Sequence, residues 1–136
     1  MKVKKGTILR SVAGVVLSCI VTTVIFFARY GVPIWGAPSP KNVQSVTVER
    51  AGFEQTYTDQ EKIELAVNLI NCLNYQPFTP PSEKTGPDVT ITYTLIDGRE
   101  LTASANWITG WWNGEPHALK QPDMFVNLAE GIFHLD

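Results

Sequence analysis

The sequence predicts an α+β protein in which one N-terminal transmembrane helix precedes a small domain with an antiparallel sheet and helices mainly on one face. Three observations predict this architecture. Residues 11–28 are apolar and uncharged, residues 59–74 repeat apolar positions at helical spacing, and residues 88–96 alternate strictly between apolar and threonine positions. The expected element order of the domain is β-α-β-β-(β)-α.

The apolar segment 11–28 is long enough to cross a bilayer. Its eighteen residues span about 27 Å as a helix, at about 1.5 Å per residue. Helix is expected despite the many β-branched residues, because in lipid the backbone must satisfy its own hydrogen bonds. Four basic residues precede the segment and only Arg29 follows it closely. The positive-inside rule then predicts a cytoplasmic basic N-terminus, residues 1–10, and an extracytoplasmic domain, residues 42–136.

Three other interpretations of the apolar segment are open. A cleaved signal peptide fits the basic start, but a small-x-small cleavage site is missing. A lipoprotein signal is suggested by residues 16–19 (VLSC), although Leu17 stands where a small residue is usual and the apolar run continues past Cys19. The third interpretation is a buried helix of a soluble protein. The lopsided charge and the lack of a polar face argue against it.

The charge is divided unevenly along the chain. Residues 1–35 carry five basic and no acidic residues, whereas residues 36–136 carry six basic and thirteen acidic residues and a charge of −7. A domain of that charge repels phosphate backbones, so we expect no nucleic-acid partner. The lipid bilayer is the expected partner of residues 11–28.

Residues 29–41 are predicted to form an interfacial segment and a proline-rich linker. Tyr30 and Trp35 follow the apolar run at the depth of an interfacial aromatic belt. Residues 36–40 (GAPSP) contain two prolines, which stiffen the spacer and prevent the helix from continuing. The folded domain is predicted to begin near Asn42.

The first elements of the domain are a strand and a helix. Residues 43–50 (VQSVTVER) place two valines on one face and predict a strand, and residues 51–57 are predicted to be a connection. Thr58 and Glu61 match a capping box, which predicts a helix over residues 59–74. Its apolar positions cover more than half of the circumference, so we expect it to pack on a sheet and to be covered along one flank.

A proline-rich loop, residues 76–87, separates this helix from the strand at residues 88–96. A hairpin follows this strand, and its turn can be argued from the apolar positions. A two-residue turn would place the apolar residues of the next strand on the threonine face. A three-residue loop, residues 96–98, puts Tyr93 opposite Leu101 and keeps all apolar residues on one face. We therefore expect a G1 bulge with Gly98 left-handed.

The last third of the domain is predicted to contain a second hairpin and a helix. Residues 113–114 (NG) suit its turn, and residues 115–119 are expected to return as a short edge strand. Pro122 suits the first turn of a helix, and Gly131 is expected to cap its end. Residues 132–135 are expected to pack against the core.

Catalytic and metal-binding motifs are missing from the sequence. HExxH, CxxC, GxSxG and a phosphate-binding glycine loop do not occur. We therefore predict no catalytic residue, no metal and no cofactor, and we interpret Cys72 as a buried, unreactive thiol. An enzyme with a site built from Glu115, His117 and Asp123 is kept as an alternative, although their spacing matches no known ligand pattern.

The tryptophans are the main candidates for binding. Trp107, Trp111 and Trp112 lie close together with His117, and we take these four as candidate ligand- or partner-binding residues. Large aromatic residues commonly fill the core of a small domain, which is the simpler interpretation. Because adjacent strand residues face opposite ways, Trp111 and Trp112 cannot both point inward. An exposed tryptophan could stack on a sugar ring, a peptide aromatic or the membrane interface.

The outer domain resembles small membrane-anchored or lipoprotein domains of Gram-positive bacteria. The resemblance rests on three segments, VQSVTVER, TDQEKIELAVNLIN and TYTLIDGRE, and covers residues 42–136. It implies a location in the cell envelope. It supplies no activity and no catalytic residue.

These observations predict a non-enzymatic, membrane-tethered extracytoplasmic binding module. Its partner would be another envelope protein, a peptide or a wall glycan. The alternative is an envelope structural or regulatory subunit that associates through its membrane helix, where Gly14 and Ser18 form a small-xxx-small pair.

Overall fold

The computed structural model describes residues 5–135 and has an α+β fold. A long apolar helix, α1 (Lys5–Tyr30), precedes a domain built on an antiparallel sheet. None of α1 is buried, and its most apolar window has a mean hydropathy of 2.3. A helix of this length and composition suits a membrane span or a signal sequence. Residues 1–4, which belong to the predicted cytoplasmic segment, and Asp136 lie outside the described residues.

Within residues 5–135 the sheet has six strands, and every neighbouring pair is antiparallel. The strands are β1 (Val43–Arg50), β2 (Phe53–Tyr57), β3 (Val89–Leu95), β4 (Glu100–Ala105), β5 (Thr109–Trp112) and β6 (Glu115–Ala118). Their spatial order is β2-β1-β3-β4-β5-β6, so β2 and β6 are the two edges.

The core lies between one face of this sheet and the helices of the domain. Those helices are α2 (Gln60–Asn68), α3 (Met124–Phe133) and the 3₁₀ segments Pro40–Asn42 and Leu69–Leu73. On the sheet side the core is formed by alternate residues of β1, β3 and β4, among them Val46, Val48, Ile91, Tyr93 and Ala103. The Tyr93 hydroxyl donates a hydrogen bond to the backbone oxygen of Ala66 and so ties β3 to α2.

The predicted β3–β4 hairpin is confirmed in loop length and register. Tyr93 lies opposite Leu101, and Ile91 lies opposite Ala103. Gly98 has a φ of +91°, which a residue without a Cβ adopts readily. The alternation of apolar residues along β3 and β4 therefore indicated this register correctly. A slip of one residue would have turned all the apolar side chains of one strand toward solvent.

Strand β2 was not predicted, since residues 51–57 were assigned to a connection. A two-residue turn joins β1 to β2, with φ of 43° at Ala51 and 89° at Gly52. Alanine seldom occupies the left-handed region, so the sequence lacks the usual asparagine or aspartate signal for such a turn. Phe53 to Thr56 are exposed, so this edge strand also lacks the alternating pattern of a half-buried strand.

Two details of the helix after β2 differ from the prediction. Asp59, not Thr58, is the N-cap, and its carboxylate accepts a 3.2 Å hydrogen bond from the backbone N–H of Lys62. The α-helix ends at Asn68, and residues 69–73 continue as a 3₁₀ segment. Its Leu69, Ile70 and Leu73 are buried, so the apolar pattern indicated burial correctly although the winding is tighter than expected.

The second predicted hairpin is confirmed, with φ of 50° at Asn113 and 86° at Gly114. Two details of α3 are corrected. Pro122 lies before the helix, whose N-cap is Asp123. Gly131 lies inside α3, and the left-handed C-cap is His134, with a φ of 52°.

The sheet face opposite the core carries threonines in register. Thr56, Thr47, Thr92 and Thr102 follow one another across four adjacent strands. The hydroxyls of Thr47 and Thr56 are 2.9 Å apart. We call this surface the threonine face.

The segment that leaves α1 contacts the domain before Asn42. Backbone hydrogen bonds of 2.8 and 3.0 Å join Val32 to Tyr75, and Tyr75 also bridges to Leu119. Ile34 packs against the core. The predicted linker is therefore attached to the domain along its first residues.

Gly31, which directly follows α1, and Lys120 are in close contact where the helix meets the domain. The Gly31 N–H donates to the Phe27 oxygen at 2.8 Å, and Gly31 has a φ of +85°, a helix end that favours glycine. The Lys120 ammonium donates a 3.0 Å hydrogen bond to the Ala28 oxygen. A Cβ on Gly31 would lie 3.0 Å from the Lys120 Cβ. We call this contact the helix–domain junction.

Candidate functional site

The candidate site is the connection between β4 and β5, residues 106–109, which we call the Trp107 turn. Asn106 is 4% exposed, and its side-chain oxygen accepts hydrogen bonds from the N–H groups of Ile108 at 2.9 Å and Thr109 at 2.8 Å. The Asn106 N–H donates in turn to the Thr109 oxygen at 2.9 Å. One buried amide therefore fixes the backbone of the whole turn.

The proline-rich loop is bonded to the same turn. The Asn106 side-chain nitrogen donates to the backbone oxygens of Thr85 at 3.2 Å and Gly86 at 3.3 Å. The Thr109 hydroxyl donates to the Ser82 oxygen at 2.7 Å. Turn and loop are thus held together by groups that are separated by 20 to 27 residues of sequence.

Two large apolar side chains project from this turn. Trp107 is 43% exposed and Ile108 is 52% exposed. They line a surface cavity of about 300 Å³ together with Thr85, Gly86, Asp88 and Asn106. This volume is at the lower end of the range for small-molecule sites and suits one amino-acid side chain or one sugar ring. The arrangement can hold an apolar group against the indole beside the carboxylate of Asp88.

The other two candidate tryptophans lie on opposite faces of the sheet, as strand alternation requires. Trp112 lies opposite Ala103 and packs half-buried against the core. Trp111 lies opposite Ser104 and Pro116 on the threonine face and is also half-buried. These rings do not share a surface.

His117 lies opposite Gly110 in β6 and stacks on Tyr75, with ring centroids 4.2 Å apart and an interplanar angle of 24°. This stack belongs to the region where the chain from α1 meets the domain, because Tyr75 also pairs with Val32. The structure therefore places the four predicted binding residues in four different surroundings. Trp107 is the most exposed of them.

The residues of the alternative enzyme site are also dispersed. Glu115 is exposed beside the β5–β6 turn. Asp123 lines a groove next to α3 that includes neither Glu115 nor His117. Among residues 5–135, no group of three His, Cys, Asp or Glu side chains could hold a metal ion.

The fully buried Tyr93 and the half-buried Cys72, which was predicted to be buried, have shifted pKa values. Burial raises the pKa of the Tyr93 hydroxyl, and the neighbouring Cys72 raises it further. Burial also raises the pKa of the Cys72 thiol above its ordinary value. Cys72 therefore stays protonated at neutral pH, and the thiol is a weaker nucleophile than the thiolate.

Sequence reasoning identified Trp107 but missed Asn106 and Ile108. An asparagine between two strands is a signal for a turn in which its side chain accepts from the backbone two residues on, and this signal could have located the turn. The bonds to Ser82 and Thr85 have no local sequence signal.

A comparison with protein-family models, with curated proteins and with solved structures finds no match for this chain.

Proposed function

We propose that the chain is a membrane-tethered, extracytoplasmic, non-enzymatic binding module that engages its partner through the Trp107 turn. α1 crosses the bilayer with its N-terminus in the cytoplasm, and the domain lies on the outer side. The length and apolar composition of α1 support the tether. The excess of basic residues before it supports the orientation.

The observation that carries the proposal is an exposed tryptophan on a fixed backbone. The Asn106 side-chain oxygen accepts two hydrogen bonds from the turn, and its side-chain nitrogen, which carries two N–H groups, lies within 3.3 Å of three oxygens of Thr85 and Gly86. A turn held in this way loses little conformational entropy when a partner binds. Tryptophan is also among the residues that contribute most at interfaces. The Trp107 turn thus combines a large contact group with a preorganised support.

The charge of the domain restricts the partner. Residues 36–136 carry −7, and Asp88 lines the cavity beside the indole. An acidic group entering this cavity would be repelled by Asp88. The site favours an apolar or aromatic group, or a sugar ring, that is flanked by hydrogen-bond donors or positive charge. An envelope protein, a peptide and a wall glycan can each present such a group.

The test is photo-crosslinking in intact cells with a benzophenone amino acid in place of Ile108. The expected result is one crosslinked product of reproducible mass, and Trp107→Ala in the same chain lowers its yield at least tenfold. The matched control is Trp35→Ala, because Trp35 is 78% exposed and lies outside the turn. For a glycan partner, the purified full chain is co-sedimented with isolated wall glycan and the same two variants are compared.

An equal loss of binding in both tryptophan variants, or no loss in Trp107→Ala, would contradict the proposal. Unfolding is checked by thermal melting of the variants. Because the Trp107 ring is half-exposed, its removal is expected to reduce stability by less than about 2 kcal/mol.

A further inference from the structure

Strand β2 is an edge that the fold leaves open. It is five residues long and contains no proline, and only its last residue, Tyr57, is half-buried. The opposite edge, β6, is four residues long and contains Pro116. Proline and short length protect an edge strand from pairing with another chain. Of the two edges, β6 therefore has this protection and β2 does not.

The hairpin geometry shows which backbone groups of β2 are free. The two-residue turn makes Arg50 and Phe53 the first pair, and in such a hairpin this pair exchanges both hydrogen bonds. Alternation then directs the N–H and C=O groups of Gln55 and Tyr57 toward β1. The backbone groups of Glu54 and Thr56 consequently point away from the sheet. The Thr56 oxygen accepts a 3.3 Å hydrogen bond from the Gln55 side chain, which a partner strand would replace.

The sequence of β2, FEQTY, is complementary to itself in the antiparallel sense. When Gln55 lies opposite Gln55 of a second copy, Glu54 lies opposite Thr56 and Phe53 lies opposite Tyr57. The two Glu54–Thr56 pairs are the ones with outward backbone groups, so they form four hydrogen bonds. In this register no like charges lie directly opposite each other across the new strand pair. A register centred on Glu54 would place two carboxylates face to face, which is unfavourable.

The side chains support the same register. Phe53 and Tyr57 lie on the helix-covered face, because their partners in β1 are Arg50 and the buried Val46. Tyr57 contacts Phe133 with ring centroids 5.1 Å apart, whereas Phe53 is 41% exposed. Pairing brings each Phe53 beside Tyr57 of the other copy and removes it from water.

We propose that β2 is a self-association edge through which two copies of this chain join their sheets about a two-fold axis at Gln55. The strand pairing itself does not depend on the proposed function. The membrane tether is part of the proposed function. It raises the effective concentration of two copies in the same bilayer. That effect matters because a pairing of five residues is weak between free molecules.

The first experiment tests the register by disulfide formation. The full chain, with Cys19 and Cys72 changed to Ala, is inserted into membranes and carries Gln55→Cys. The control is Gln44→Cys, the same substitution at an exposed position of β1, one strand from the edge. Mild oxidation is expected to crosslink Gln55→Cys to a dimer at least fivefold more than the control. Equal yields would overturn the proposal.

The second experiment tests the backbone hydrogen bonds by energy transfer between labelled full-length chains in liposomes. Thr56→Pro removes an outward N–H without removing a bond to β1, so it is expected to abolish the transfer. Thr56→Val keeps that N–H and is expected to retain it. If Thr56→Pro does not fold, Gln55→Lys replaces it, since it places two ammonium groups at the two-fold axis. Transfer that survives these variants but disappears in Gly14→Leu would assign association to α1 and refute the proposal.

Discussion

At the scale of single residues, Tyr93 joins the sheet to the helix layer. Its side chain is fully buried, and its hydroxyl donates to the Ala66 oxygen in α2. A buried hydroxyl without a partner would be costly, so this bond explains how a polar atom is accommodated in the centre of the core. Burial raises the Tyr93 pKa, because the phenolate would lose its hydration there.

We expect Tyr93→Phe to lower the free energy of unfolding by about 1–2 kcal/mol, because the Ala66 oxygen loses its partner. Tyr57→Phe is the control. Its ring is half-buried against Phe133, and we expect a loss below about 0.5 kcal/mol. Denaturant unfolding of the full chain in detergent measures both. Equal losses would contradict the assigned role of the hydrogen bond.

The pH dependence of stability provides a second measure for Tyr93. Its folded-state pKa lies above the ordinary value of 10.0. The stability that this group contributes is therefore fully present below pH 10 and is lost as the pH rises from there toward the folded-state pKa. The unfolding free energy of the unmodified chain should fall more steeply above pH 10 than that of Tyr93→Phe.

At the scale of elements, the positions and registers of strands were predicted best from sequence where one face of the strand is buried. Alternation in residues 88–96 located β3, and apolar parity set its register with β4. Strand β2 was missed because it is an exposed edge whose side chains carry no alternation, and because Ala51 opens its turn. The Trp107 turn was not predicted. Trp107 was named as a binding candidate, but the long-range hydrogen bonds of Asn106 leave no local sequence pattern.

The packing at the helix–domain junction leads to a prediction about stability. We expect Gly31→Ala to lower stability by about 1 kcal/mol more than Gly36→Ala. Both glycines have a φ near +90°, but a Cβ at Gly31 would meet Lys120 and Asn74, whereas Gly36 has open space. Both variants therefore carry the same backbone strain, and their difference measures the contact.

Thermal unfolding of the full chain and limited proteolysis between α1 and β1 measure the effect of these variants. Gly31→Ala should become cleavable in this segment while Gly36→Ala stays resistant. Equal melting temperatures and equal cleavage would show that the junction is not tightly packed.

At the scale of the whole molecule, the chain combines an apolar helix in a basic N-terminal segment with an acidic domain. Residues 1–35 carry +5 and residues 36–136 carry −7. α1 has no buried residue, and the domain has its own core. Such a division is expected when two parts of one chain lie in different solvents. The same helix also fits a signal sequence, so the two cases need to be separated by experiment.

We expect a C-terminal epitope to be digested when protease is added to intact cells, while a fragment containing α1 stays protected in the membrane. The undigested chain should be found in the membrane fraction at its full mass of 15.1 kDa plus the epitope. Recovery of a shortened chain in the medium would instead indicate a cleaved signal sequence.

Orientation is tested by changing the four basic residues before the apolar run to glutamine, with Arg29→Gln as the control. Because the balance of flanking charge sets orientation, the fourfold variant should decrease the digested fraction and the control should not. A digested fraction that is insensitive to the fourfold change would argue against the proposed topology.

The close packing at the helix–domain junction has a consequence for how the domain meets a partner. Gly31 packs against Lys120, and the Lys120 ammonium donates a hydrogen bond to the last turn of α1. The domain is therefore held directly against the end of the helix and is not joined to it by a flexible linker alone. If α1 spans the bilayer as proposed, this contact limits how far the domain can tilt or extend away from the membrane surface. Trp107 would then reach only partners at a limited range of distances from the bilayer, and a longer reach would require the Gly31–Lys120 contact to break.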